Sequence, residues 1–133
     1  MNEKFELREI FNVEPSVIYK AWLDSGLHSK MTGGEAHCSC VPGDSFSAWD
    51  AYISGKNLEL LEDHKIVQSW RTTEFSEKDA DSILSISLKK ISEGTELILE
   101  HSKIPEGQTQ YKQGWLDHYF APMKEFFENN NKT

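Results

Sequence analysis

Residues 108–129 read Gln-Thr-Gln-Tyr-Lys-Gln-Gly-Trp-Leu-Asp-His-Tyr-Phe-Ala-Pro-Met-Lys-Glu-Phe-Phe-Glu-Asn, and their apolar positions recur at helical spacing. Tyr111, Trp115, Tyr119, Pro122 and Phe126 fall on one line, and Leu116, Phe120, Met123 and Phe127 on the adjacent one. At roughly 100° per residue the joint apolar arc covers about half of the helix, wider than a helix lying on a flat sheet needs. The spacing therefore predicts a long C-terminal helix that a curved surface wraps. Pro122 is expected to bend it, since a proline removes one backbone hydrogen bond.

The preceding chain supplies that surface. Phe5, Leu7 and Glu9 alternate with Glu6, Arg8 and Ile10 in a first strand. Pro15 opens a helix with an apolar stripe of Val17, Ile18, Ala21 and Trp22, and Gly26 suits its C-terminal end. A short second helix is expected over 27–31, ended by Gly33-Gly34. Strands follow at about 35–40, 45–54, 57–62, 65–72, 82–91 and 95–103. Pro42-Gly43-Asp44, Ser54-Gly55-Lys56, Glu62-Asp63-His64 and Ser92-Glu93-Gly94 mark the turns between them. Leu84, Ile86 and Leu88 alternate with Ser85, Ser87 and Lys89, one buried face and one wet. The expectation is an α+β domain over 1–133. About seven antiparallel strands curve around the last helix, two short helices follow strand 1, and the polar end, 128–133, frays.

Composition narrows the partners. The 133 residues carry 14 Lys and Arg against 22 Asp and Glu, a net charge of −8. Nucleic acid and anionic membrane surfaces call for clustered cations and are not expected as partners. No apolar run reaches the roughly 18 residues of a membrane span, and the first residues hold no signal-peptide core. The default address is the cytoplasm, which suits Cys38 and Cys40 as reduced thiols.

Several side chains invite a chemical reading. The aromatic set Trp22, Phe46, Trp49, Trp70, Trp115, Tyr119 and Phe120 either lines an apolar cavity or fills a core. Of these, Trp70 suits core, because its strand lies amid others. His101 follows Leu97 and Leu99 at period two and so points inward with them, either as a ligand-orienting or acid–base group or as a satisfied core histidine. His37-Cys38-Ser39-Cys40 offers soft ligands, but on a strand the histidine and the cysteines face opposite ways, so no metal is expected. Asp117-His118 resembles half of a catalytic pair yet falls outside the apolar arc, as a solvated face does. No nucleophile elbow, phosphate loop or paired-carboxylate motif is present, and no cofactor is expected.

Residues 43–55, Gly-Asp-Ser-Phe-Ser-Ala-Trp-Asp-Ala-Tyr-Ile-Ser-Gly, resemble the glycine–aromatic–glycine strand of a known family. Residues 64–71, His-Lys-Ile-Val-Gln-Ser-Trp-Arg, resemble its next signature, as do Thr95-Glu96-Leu97, Ile104-Pro105, and Gln113-Gly114-Trp115 followed by Tyr119-Phe120. The family is the C-terminal-domain-like group of the activator of the ninety-kilodalton heat-shock chaperone's ATPase, in the START-like (SRPBCC, Bet v-like) helix-grip superfamily. The resemblance runs from Phe5 to Phe127. It implies a cavity between the sheet and the final helix, with the region of Met31 either a lid at its mouth or plain packing. Cavity candidates are then Met31, Phe46, Trp49, Trp70, His101, Trp115, Tyr119 and Met123. Three functions follow as expectations. The first is a non-enzymatic binder of a small apolar or aromatic ligand. The second, by family analogy, is a protein-interaction module acting on a heat-shock chaperone in stress response, as a monomer or homodimer. The third is a cyclase- or hydrolase-type enzyme that pairs His101 with a tyrosine.

Overall fold

In a computed structural model the described residues are 3–130, with side chains described for 3–128. Strand β1 (Glu3–Phe11) leads into α1 (Pro15–Leu23) and α2 (Ser25–Thr32), followed by β2 (Ser45–Ala48), β3 (Ile53–Leu61), β4 (Lys65–Thr72), β5 (Ser82–Ile91) and β6 (Gly94–Ile104). The chain ends in α3 (Tyr111–Trp115), a π-helical turn (Leu116–Phe120) and α4 (Ala121–Asn130). The strands form one six-stranded sheet in the order β1-β6-β5-β4-β3-β2, antiparallel throughout. Leu84, Ile86, Leu97, Leu99 and Ile66 are almost fully buried, and Phe120, Met123 and Phe127 of the terminal helical segment join them in one core. This is the expected α+β arrangement with a helix gripped by a sheet, built with six strands rather than seven.

The differences have local causes. Residues 35–40 form no strand, and their β-bridge among the described residues is the isolated His37–Ser47 pair. The hairpin joining β2 and β3 turns at Trp49–Tyr52, not at Ser54-Gly55-Lys56. Trp49, Asp50 and Ala51 are all left-handed (φ 52°, 57° and 71°) without a glycine to announce them. Their cost is offset by bonds to a neighbouring segment: Asp50 N–H donates to the Glu35 carbonyl (3.0 Å), and the Glu35 N–H donates to Asp50 Oδ1 (3.3 Å). Gly55 lies inside β3, where a Cβ would stand 1.8 Å from the Ser69 carbonyl oxygen and 2.7 Å from the Phe46 ring. Its glycine reports a close backbone approach, not a turn.

Gly26 likewise does not end α1. The extended Asp24 (φ −106°, ψ 125°) separates the two helices, and its carboxylate accepts from the Leu27 N–H (2.8 Å) to cap α2. Val17, placed on the buried stripe of α1, is 44% exposed. At the chain end α4 continues to Asn130, and 131–133, the rest of the segment expected to fray, lie outside the described residues.

Pro122 acts one turn earlier than a simple bend would place it. Without an N–H, and with a ring that crowds the carbonyl four residues back, it disfavours a regular α-helix through His118. The ladder shifts instead, and Ala121 N–H donates to the Leu116 carbonyl five residues back. The shift turns Tyr119 and Phe120 inward together and leaves Leu116 37% exposed, off the stripe where an ideal helix puts it.

Two glycines separate these reasons experimentally. Gly55→Ala should cost about 3 kcal/mol or more in urea unfolding, or prevent folding. Gly114, in the middle of α3 with nothing within 4 Å of where a Cβ would stand, should tolerate alanine and gain about 0.5–1 kcal/mol from helix propensity. Equal effects at the two positions would contradict the backbone-approach account.

Candidate functional site

The curved sheet leaves a hollow where the helical segment begins. A cavity of about 690 Å³ lies between α3 with the π-helical turn on one side and the Trp49–Tyr52 hairpin turn on the other, open to solvent and mainly apolar. Trp70 of β4 and Ile53 of β3 contribute from the sheet. Tyr111, Trp115 and Tyr119 contribute from the helical side, and Trp49 and Tyr52 from the turn. The Trp49 and His118 rings meet edge-on across it at 5.7 Å.

Trp115 is fixed by a bond that reaches through the core. Its indole Nε1–H donates to His101 Nδ1 (3.0 Å), so the histidine proton sits on Nε2 and donates to Ser82 Oγ (2.8 Å). Ser82 in turn donates to the Trp70 carbonyl (2.7 Å). This chain ties the helix to β6, β5 and β4. His101 is completely buried, with the Trp70 ring 4.5 Å away, and burial lowers it to about 3, so it is neutral near pH 7. A second chain backs Tyr119. His28 Nδ1–H donates to the Trp22 carbonyl (2.8 Å), and its Nε2 accepts from the Tyr119 hydroxyl (3.1 Å). Burial lowers His28 and raises Tyr119. Trp22 Nε1–H continues to Gln68, and Gln68 to Asn57 (3.3 and 2.9 Å).

The rim is polar. Tyr52 donates to the Glu74 carboxylate, and Tyr111 to Gln108 Oε1 (2.7 Å) while the Thr72 hydroxyl lies 2.7 Å from the Tyr111 oxygen. Burial, followed by the bond to Glu74, raises the Tyr52 phenol. Trp49 Nε1 is buried and has no hydrogen-bond partner among the described residues.

Of the eight residues named from sequence, the structure brings Trp49, Trp70, Trp115 and Tyr119 to the cavity. Met31, Phe46, His101 and Met123 sit in the core instead, at 2%, 8%, 0% and 0% exposure. Met31 is enclosed within α2 and forms no lid at the mouth. Tyr52 and Ile53 were missed because the turn was misplaced by a few residues. Tyr111 lay on the helical stripe from the start. Asp117 and His118 are exposed as expected, but they stand at the mouth of the cavity. His37 pairs with Glu35 (3.2 Å). Among the described residues no group of three or more His, Cys, Asp or Glu side chains is placed to hold a metal ion.

The same architecture recurs in known proteins. A family model described as "Activator of Hsp90 ATPase homolog 1-like protein" matches residues 12–128. The chain belongs to this Hsp90-ATPase-activator-homologue family. The human activator of 90 kDa heat shock protein ATPase homolog 1 is 29% identical over 125 residues, which is 93% of this chain and 37% of the human protein. The chain thus spans little more than a third of that relative. The crystal structure of an HSP90 activator from Plasmodium falciparum superposes with a TM-score of 0.86 at 26% identity, covering 94% of this chain and 96% of the other. An Aha1 dimer from Colwellia psychrerythraea, solved in solution, shares the fold at 15% identity and a TM-score of 0.80, covering 95% and 96% of the two chains. Members of this activator-homologue family with the START/Bet v-like fold share the gripped helix described above.

The buried histidines carry a pH signature. An unfolded chain protonates them near 6.5, whereas the folded chain resists, so the unfolded state binds more protons below that pH. Their stabilisation is complete above about pH 6.5 and is lost as the pH falls below it, for His101 down to about 3. Replacing His101 with Asn should flatten the fall in urea-unfolding free energy between pH 6 and 5 by about 1 kcal/mol per pH unit. Identical slopes for the two proteins would refute a neutral, core-locked His101.

Proposed function

We propose that this domain is a non-enzymatic binder of a small apolar or aromatic molecule, held in the cavity at the start of the terminal helix. The observation that carries the reading is the 690 Å³ hollow, within the usual range of small-molecule sites, bounded by tryptophan and tyrosine rings with a few polar groups at its rim. Two features favour binding over catalysis. Both ring nitrogens of His101 are engaged in the core, and the ring stands behind Trp115 rather than in the cavity. The tyrosine hydroxyls at the site are committed to Glu74, Gln108 and His28.

The neutral fluorophore N-phenyl-1-naphthylamine tests this directly. It should bind with saturable enhancement, and Gly114→Met should weaken it by about tenfold or more by filling the space beside Trp115, without lowering the melting temperature. Unchanged binding in that variant would place the dye elsewhere and remove the reading.

A second reading rests on a separate observation, the likeness to the human and Plasmodium activators. By it, this cytoplasmic domain contacts a heat-shock chaperone in stress response, its acidic surface meeting a basic patch on the partner. Immobilised protein should retain the chaperone of its own organism at low salt and release it as salt rises. Absence of retention at low salt would dismiss this partner.

A further inference from the structure

The cavity is walled mostly by aromatic side chains, with His118 beside Asp117 among its lining residues. Six aromatic side chains line it: Trp49, Tyr52, Trp70, Tyr111, Trp115 and Tyr119. Aromatic rings present negative faces, and tryptophan presents the strongest. Among the described lining residues there is no lysine or arginine, and the one carboxylate is Asp117 at the mouth. Gln113 Nε2–H donates to Asp117 Oδ1 (3.0 Å), an exposed bond along the helix beside the opening. Just outside, Glu74 holds the Tyr52 hydroxyl from the rim. Arg71 is turned away from the cavity: it engages Asp81 (2.7 Å) and the Ser76 and Asp79 carbonyls, and its guanidinium stands 5.4 Å from the Phe75 ring centroid. The whole chain adds a background of −8.

We propose that the cavity takes an organic cation, an aryl- or alkylammonium compound whose apolar body packs against the tryptophans while its charge lies between the rings and Asp117. The proposal rests on the ligand-binding reading above and assigns its ligand a charge. A purely apolar pocket penalises a cation, because the charge must shed water without compensation. An aromatic enclosure with a carboxylate at the mouth reverses that preference, since ring faces and carboxylate both replace the lost hydration.

The test compares three probes of one shape by quenching of tryptophan fluorescence at pH 8, where imidazoles as a class are neutral. Phenyltrimethylammonium carries the charge, tert-butylbenzene is its neutral counterpart, and benzenesulfonate carries the opposite sign, which the amide groups at the helix start near Tyr111 would favour. The cation should bind about tenfold more tightly than tert-butylbenzene, with benzenesulfonate weakest. Asp117→Asn should reduce the cation's advantage several-fold, and added salt should reduce it in the parent protein but not in that variant. Trp49→Leu, at a partly exposed turn position, should also diminish it. Equal or tighter binding of tert-butylbenzene would overturn the charge assignment and leave the apolar-ligand reading standing. Preferential binding of benzenesulfonate, or an advantage undiminished in both variants, would also overturn the charge assignment. Failure of every probe to bind would remove both readings.

Discussion

The Trp115–His101 hydrogen bond is the constraint on which the architecture turns. It is one N–H···N contact, yet it couples the terminal helix to the centre of the sheet. His101 can accept from the indole only while its Nδ1 is unprotonated, and its Nε2–H must then find Ser82. Breaking one link would leave buried polar atoms without partners, at about 1–3 kcal/mol each. The chain therefore has one satisfied arrangement, with Trp115 upright against Trp70 (ring centroids 5.7 Å apart) and Tyr119 beside it at 4.6 Å. Side chains held this way make a rigid wall. A cavity next to a rigid wall persists instead of collapsing, because the rings cannot lean into it without giving up their bonds.

The opposite wall is built differently. The Trp49–Tyr52 turn holds three successive left-handed residues, and the Trp49 indole N–H has no hydrogen-bond partner among the described residues. Strained backbone of this kind persists only where its surroundings impose it, and such strain concentrates at functional sites. Gly34 permits the arrangement: a Cβ there would fall 2.5 Å from the Trp49 ring. One face of the cavity is thus locked by hydrogen bonds, and the other stores strain above a glycine.

Much of this was legible in the amino-acid order. The period-two strands and the broad apolar arc of residues 111–127 specify a sheet gripping a helix, because burying that arc demands a curved partner. His101 was legible as inward-pointing from its phase with Leu97 and Leu99. What stayed hidden depends on contacts between distant segments. Gly55 looks like a turn in sequence and is instead a strand residue pressed on Ser69. The true turn at Trp49-Asp50-Ala51 carries no glycine and is stabilised by Glu35, which adjacency cannot reveal. The π-helical turn ahead of Pro122 changed which residues face inward, moving Leu116 out and Asp117 and His118 to the cavity mouth. His28 takes its role from a bond to Tyr119, 91 positions away.

The central claim is that a small molecule enters between the rigid helical wall and the strained turn. The most direct measurement is a ¹H–¹⁵N titration of the four tryptophan indole signals with N-phenyl-1-naphthylamine. The account predicts that Trp49 and Trp115 shift along one saturating curve while Trp22, enclosed beneath His28 and Gln68, stays in place. Indole signals that all remain still, or a shift confined to Trp22, would contradict it.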